Sequence, residues 1–551
     1  MGIVASVLKK FHGGIHPAGH KELTERCAIE SMPMPKRLVI PLHQHLGAPS
    51  EPVVKVGDKV FKGDLLGKEG GFVSAAVHAP TSGTVSEILE HPIAHPSGLT
   101  MPCVIIEPDG LDAWNPQLKG VDDPRSLEPA AIRDRIKGAG IVGLGGATFP
   151  SFIKMSPPRD KVVDLLLINA VECEPYLTCD ARLMEERSRE VVEGIRIMLH
   201  ALQTKQCIIG IEANKPTAIE IMQKAVAGAT DIQVMTLPVM YPQGAEKQLI
   251  EVVTGRQVPS KGLPVDVGVI VHNVATAVAI RNAIQLGQPL LKRIVTVTGH
   301  GIVRPANLEV LIGTLVDDVL AHCGGLKPDT VKVVMGGPMM GLALYQTNVP
   351  VVKGTSGILA LLRNETPQTK EHSCIRCGSC VRACPMQLVP CSMAWFAKTD
   401  QIDQLPGHDL FDCIECGSCA YVCPANIPLV HYFRFGKLSW QAKERENKKR
   451  ELTKQRTQSR EERLGREKEE RERKKEEMKA KMAAKKSAGG AAADEKNEAK
   501  PAVNKNESKT TAASETKNGG DDKAARAAKA ALAAKAAKAA KEAKSVQGSE
   551  S

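Results

Sequence analysis

Apolar and polar positions change their period several times along the 551-residue chain. Val53–Gly67, "VVKVGDKVFKGDLLG", and Val77–Ile88, "VHAPTSGTVSEI", alternate around Gly-Asp turns and predict a small β domain. At Ser126–Gly140 the period lengthens. Ala130, Ile132 and Ile136 recur at roughly helical spacing, Ser126 is the expected N-cap, Glu128 and Pro129 fall in the first turn, and Gly138 is the stop. A buried strand is expected over residues 162–170, "VVDLLLINA". Val295–Gly325 reads strand, turn, strand, helix. From Gln441 to Lys481, Lys, Arg and Glu mix without a core-facing stripe, which suits a solvated helix with i, i+4 pairs. Beyond Ala483 the Ala/Lys/Ser/Asn-rich composition predicts disorder, apart from an Ala-Lys helix at 524–543. No apolar run approaches the ~18–20 residues needed to span a bilayer. The longest candidate, Val267 to Ile280, is broken by His272 and Asn273.

Charge is distributed unevenly. Residues 1–440 carry 42 Lys+Arg against 42 Asp+Glu, so the net +11 belongs entirely to the tail from Gln441 onward. A basic tail on a neutral body argues against a nucleic-acid-binding domain. It suits an arm attracted to anionic lipid or an acidic partner, or a solvating tail with no binding role.

Nine of the 15 cysteines lie between Cys374 and Cys423, and the opening "MGIVASVLKK" reads as too short and poorly organised for a secretory signal. That combination points to a reducing compartment and to metal ligation rather than disulfides. "CIRCGSCVRACP" (Cys374, Cys377, Cys380, Cys384) returns as "CIECGSCAYVCP" (Cys413, Cys416, Cys419, Cys423), each a C-x2-C-x2-C-x3-C-P run. In the bacterial ferredoxin pattern three thiolates wrap one 4Fe–4S cluster and the fourth ligates the other. Cluster 1 would then take Cys374, Cys377, Cys380 and Cys423, and cluster 2 would take Cys413, Cys416, Cys419 and Cys384. The alternative is zinc, which prefers two well-separated C-x2-4-C pairs. Cys391 and the six upstream cysteines lack partner spacing and read as small core or surface residues.

"GAGIVG", Gly138–Gly143, matches the G-x-G-x-x-G dinucleotide fingerprint, but that fingerprint must follow a strand and open a helix. Here a helix precedes the glycines and the strand follows them. What remains is a loop, Gly138–Gly146, with five glycines whose amides could face a phosphate, or a flexible turn. "NAVECEP" stands at the carboxyl end of the following strand, where ligands collect in α/β sheets. On extended backbone Glu172 and Glu174 would project to one side; the alternative is two solvated acids.

"GLGGATFPSFIK", "NAVECEP", "YPQGAEKQL" and "VHNVAT", in this order, resemble the flavin- and NADH-binding segments of the complex I flavoprotein subunit family. The resemblance implies a Rossmann-like but distinct α/β domain with FMN bound non-covalently. Gly143, Gly145, Gly146 and Ala147 would cradle the FMN phosphate and ribityl chain. Lys154, Asn169, Glu172, Tyr241, Gly244, Asn273 and Thr276 would be further flavin contacts. On the NADH side Phe149 would stack, while Glu174 and Glu246 would meet ribose hydroxyls. The chain departs from the family at Leu144 (usually Arg), Val171 (usually Asp) and Ala245 (usually Glu).

The β domain is similar to the barrel-sandwich hybrid of lipoyl and biotinyl carriers. Its hairpin, "KEGGFVSAAV", lacks the modified Lys flanked by Met, which implies an unmodified structural domain. Val295–Gly325 resembles the β-grasp domain that follows the flavin domain in complex I. The whole is multidomain α/β and α+β: N-terminal arm (1–30), barrel-sandwich hybrid (31–110), FMN/NADH domain (122–290), soluble-ligand-binding β-grasp (291–345), two-cluster ferredoxin domain (365–435) and charged tail (436–551). This order, with "FHGGIHP" near the start, is similar to that of the RnfC/RsxC family of the Rnf/Rsx ion-translocating electron-transport complexes. It implies a peripheral subunit on the cytoplasmic face of the inner membrane. Electrons from NADH would pass through FMN and two 4Fe–4S clusters to membrane partners, coupled to ion translocation. A ferredoxin-type carrier is a further expected partner and a redox-sensing regulator an alternative electron acceptor. The competing reading is an Fe–S relay or scaffold subunit without its own NADH or flavin site.

Overall fold

The computed structural model describes residues 8–95, 97–366 and 370–488. The Ala-Lys segment 524–543 lies outside them. The chain divides into two units, residues 1–453 and 454–551.

The first β domain pairs Leu38–Pro41, Thr100–Pro108, Gly83–Pro92 and Lys59–Val60 in one antiparallel sheet, and Glu51–Pro52, Leu65–Lys68 and Val77–His78 in another. Alternate residues of both, including Leu38, Ile40, Leu66, Val85, Val104 and Ile106, fill a shared core. The alternation predicted a small β domain, and its architecture is the barrel-sandwich that the resemblance to lipoyl and biotinyl carriers implied.

In the flavin-type domain four parallel strands run in the order Ile232–Leu237, Cys207–Glu212, Leu165–Asn169, Val269–Asn273. The chain builds outward from Leu165–Asn169 to one edge and then returns to its other side. The switch point of the sheet therefore lies between Leu165–Asn169 and Val269–Asn273. Both faces are covered. Leu166 and Ile168 pack with Ile132, Ile136, Met198 and Ile280, whereas Leu165 and Leu167 pack with Leu237, Leu249 and Val271. The strand begins at Leu165, not 162, because Val162 stands in solvent. Ser126 is not the helix N-cap. It ends a 3-10 turn capped by Asp123, and the helix runs Pro129–Gly138 with Glu128 before it. Proline at the first helical position sets that start.

The β-grasp sheet draws on sequence far outside 291–345. Its six strands are ordered Ile29–Ser31, Ala306–Leu311, Lys292–Thr298, Gly357–Leu362, Thr330–Met335, Leu342–Ala343, with the helix Val316–His322 packed on them. The arm thus contributes an edge strand. The two cysteine runs fold with short helices, Ser379–Ala383 and Ser418–Tyr421, around Leu388, Met393, Leu405, Leu410 and Phe433.

The arm ties these parts together. Lys9 N–H donates to the Val252 carbonyl, Ile15 and Tyr241 exchange a pair of backbone bonds, and Gly14 N–H donates to the Ala383 carbonyl. Gly13 has φ +71°, and a Cβ there would lie 2.7 Å from the Ala383 oxygen, so only glycine fits between the arm and the ferredoxin domain.

Residues 454–488 of the second unit are helical, part of the Leu429–Ala488 helix. Exposed i, i+4 pairs such as Lys474–Glu470 line them, as the mixed charges predict. No helix among the described residues is long and apolar enough to cross a membrane.

Candidate functional site

The glycine loop lies across the switch point. Gly143 N–H donates to the Phe149 carbonyl and closes the loop, and Leu144 N–H donates to the Thr276 hydroxyl at 3.0 Å. A Cβ on Gly145 would lie 3.3 Å from the Asn273 side chain, whereas one on Gly146, at φ +117°, would meet nothing. Gly145, Gly146 and Ala147 are exposed. Two glycines without side chains and a single methyl leave a cradle that core packing does not require, and that cradle fits a bound nucleotide.

Asn273 caps the Val274–Gln285 helix by accepting from Ala275 N–H, and its amide donates to Asp180 at 2.7 Å. Asn169 is register partner to Asn273 and donates to the Gly244 carbonyl. Gly143, Gly145, Gly146, Ala147, Asn169, Gly244, Asn273 and Thr276 therefore gather at adjoining strand ends. Lys154, expected as a flavin contact, and Glu246, expected on the NADH side, are ion-paired to each other.

Glu172 and Glu174 do not project to one side. Glu172 has φ +50°, so the backbone turns instead of extending. Its carboxylate accepts from Asp180 and Ala181 N–H at the start of the Cys179–Glu186 helix. Burial and the Glu172 charge push the Asp180 carboxyl up. Glu174 points elsewhere, accepting from Met339 and Met340 N–H in the β-grasp segment, with Gly337 packed against it. Burial raises its carboxyl to about 7. Between the ordinary carboxyl value near 4.5 and about 7 the folded state holds more protons than the unfolded one. Stability from this residue is therefore fully present below 4.5 and lost as pH rises through 7. Denaturant unfolding of Glu174→Gln at pH 5 and pH 8 is expected to lack that component, about 1–3 kcal/mol.

Sequence reasoning missed the cations that hold this loop. Lys21, from the arm, donates to the carbonyls of Glu172, Glu174 and Leu177, and Lys215 donates to that of Val171. No local pattern marks Lys21, because its partners are over 150 residues away. Leu144 and Val171, where the chain departs from complex I, are both buried in the core. The buried Arg293 of the β-grasp strand donates to the Leu144 carbonyl. Ala245 precedes the Glu246–Thr254 helix.

The two cysteine runs share local geometry. Arg376 and Glu415 have φ near +55° and donate N–H to the sulfurs of Cys374 and Cys413, both at 3.4 Å. Gly378 and Gly417 follow in the left-handed region and open the two short helices. Such amide-to-sulfur bonds are of the kind that orient the thiolates of an Fe–S cluster and tune its potential. Cys384, Cys413, Cys416 and Cys419 line one cavity, so the cross-run donor set fits a cluster. In the other set Cys374 and Cys377 are exposed, Cys380 and Cys423 are half-buried, and Cys380 lies against Cys391. Tyr241, expected as a flavin contact, donates its hydroxyl to the Cys416 carbonyl at 2.7 Å. Around that bond pack Ile15, Cys173, Met339 and Ala383.

Family models match in the same order: the RnfC barrel sandwich hybrid domain at residues 9–111, the Nuo51 FMN-binding domain at 136–282, the SLBB domain at 294–343 and the 4Fe-4S dicluster domain at 373–427. The RnfC-type subunit of the ion-translocating oxidoreductase complex of Rhodobacter capsulatus is 50% identical over 431 residues, 78% of this chain and 83% of that one. The chain belongs to this RnfC family. Its cofactors are accordingly FMN and two 4Fe–4S clusters, and it is an oxidoreductase subunit of an electron-transport complex. Another member, the corresponding subunit of the proton-translocating ferredoxin:NAD(+) oxidoreductase complex of Clostridium ljungdahlii, is 47% identical over 78% of this chain and 93% of its own. The corresponding subunit of the ion-translocating oxidoreductase complex of Pseudomonas aeruginosa is 43% identical over 84% of this chain and 60% of its own.

Proposed function

We propose that this subunit takes reducing equivalents from NADH and delivers them singly to partners of a membrane complex whose electron flow is coupled to ion movement. FMN would supply the change from two-electron to one-electron chemistry, and the clusters would carry single electrons. The observation that carries the reading is the Tyr241 hydroxyl bond to the Cys416 carbonyl, which joins the nucleotide domain to a cluster ligand. Gly143, Gly145, Gly146, Ala147, Asn273 and Thr276 would hold the flavin phosphate and chain, with Asn169, Glu172 and Gly244 behind them. Phe149 and Glu246 are the remaining candidates for NADH. Glu174, held by Met339 and Met340 amides, would act by seating the β-grasp segment.

Burial supports an order for the two clusters in the relay. The Cys384/413/416/419 set lies against the nucleotide domain, and the Cys374/377/380/423 set has two exposed members, so the second would face the partner. The name of the Clostridium relative, with ferredoxin and NAD+ as its couple, supports a nicotinamide substrate and a ferredoxin-type partner. The expected location is peripheral, on the cytoplasmic face. The test is an anaerobic NADH titration of the holoprotein. Bleaching of the flavin band supports the reading. Protein with about eight irons but no flavin, or flavin that NADH does not bleach, overturns it.

A further inference from the structure

The tip of the barrel-sandwich hairpin, which in lipoyl and biotinyl carriers presents a modified lysine, presents an aromatic ring here. Phe72 is 79% exposed. An aromatic ring left in water forgoes the stabilisation of burial, yet the tip that displays it is firmly held. Ala48 N–H donates to the Val73 carbonyl, Gly70 N–H donates to the Ser74 hydroxyl, and His45 Nε2 meets that same hydroxyl. Gly47 has φ +111°, and a Cβ there would lie 2.0 Å from the Val73 oxygen. The fold therefore fixes this ring on the surface.

It is fixed beside the glycine loop. The Phe72 ring stands edge-to-face with Phe152, centroids 6.5 Å apart, in the short Ser151–Lys154 helix that continues the loop. Lys137 Nζ lies 5.6 Å from the centre of the Phe152 ring. Leu46 N–H, beside the hairpin, donates to the carbonyl of Thr148 within the loop. Phe72 and Phe152, contributed by two domains, thus stand together beside the segment that carries the exposed glycines 145–146.

Resting on the NADH reading above, we propose that Phe72 stacks on the adenine of the nicotinamide dinucleotide. Hydride transfer needs the nicotinamide over the flavin, which leaves the purine at the far end of the dinucleotide to reach the rim. A purine and a phenyl ring stack face to face without further hydrogen-bonding demands. The barrel-sandwich domain then acts in substrate recognition, with a phenylalanine at the hairpin tip where the carriers present a lysine.

The experiment compares NADH with reduced nicotinamide mononucleotide, which has no adenine, as donors to the holoprotein with ferricyanide as acceptor. Phe72→Ala is expected to raise KM for NADH about tenfold, with kcat, FMN content and KM for the mononucleotide unchanged. Phe72→Trp restores the wild-type KM. An unchanged KM for NADH overturns the proposal, as does an equal rise for both donors, which marks a structural role. Wild-type protein that holds FMN but oxidises neither donor overturns the proposed function, and this inference with it.

Discussion

Cys416→Ala is expected to hold about four irons where the wild-type protein holds about eight. Cys416 is buried with Cys384 and Cys419 in one cavity shared by Cys413, and its sulfur lies 3.4 Å from the Ser418 hydroxyl. Removing one thiolate of four leaves a donor set that no longer closes around the cluster. The Tyr241 bond survives, because it is made to the backbone carbonyl of residue 416. Flavin content and the Cys374/377/380/423 cluster should therefore persist. Iron and acid-labile sulfide analysis with EPR of the reduced protein measures this. Loss of all iron would mean that the two ligand sets do not assemble separately.

Gly146→Val is expected to empty the flavin site while leaving iron unchanged. At φ +117° a branched residue is strained, and the strain costs about 1–2 kcal/mol. No neighbour lies within 4 Å of the new Cβ, so the core is not disturbed. The branched side chain would instead occupy the cradle. Gly325→Val is the control: Gly325 also has positive φ and open space around it, but it lies in a β-grasp turn. Similar loss of stability in both variants, with flavin lost only from Gly146→Val, assigns the cradle to the flavin. Flavin released by acid and quantified by fluorescence gives the ratio.

The layers of the fold were legible wherever the pattern is local. The alternation at 53–88 predicted the β domain, the repeated cysteine run predicted its two matching loops, and the order of helix, glycines and strand excluded a Rossmann turn. The reading faltered where the chain turns against its propensity or pairs over long distances. Glu172 takes a positive φ, which sends its carboxylate away from that of Glu174. Ile29–Ser31 joins a strand more than 270 residues later, and Lys21 reaches carbonyls more than 150 residues away. Tyr241 matched a flavin motif, yet it sits between the arm and Cys416. Such residues carry no local signature, because their partners are set only when the domains dock.

The central claim is that electrons from NADH reach the partner-facing cluster by way of the buried one. The most direct measurement mixes NADH anaerobically with wild-type and Cys416→Ala holoprotein and follows the flavin band and cluster EPR signals on the millisecond scale. The account predicts that flavin bleaching is the same in both, whereas reduction of the Cys374/377/380/423 cluster, prompt in the wild type, no longer follows flavin bleaching in the variant, because one carrier of the single-electron relay is missing. Reduction of that cluster at the wild-type rate in Cys416→Ala, with the second cluster shown to be absent, would contradict it.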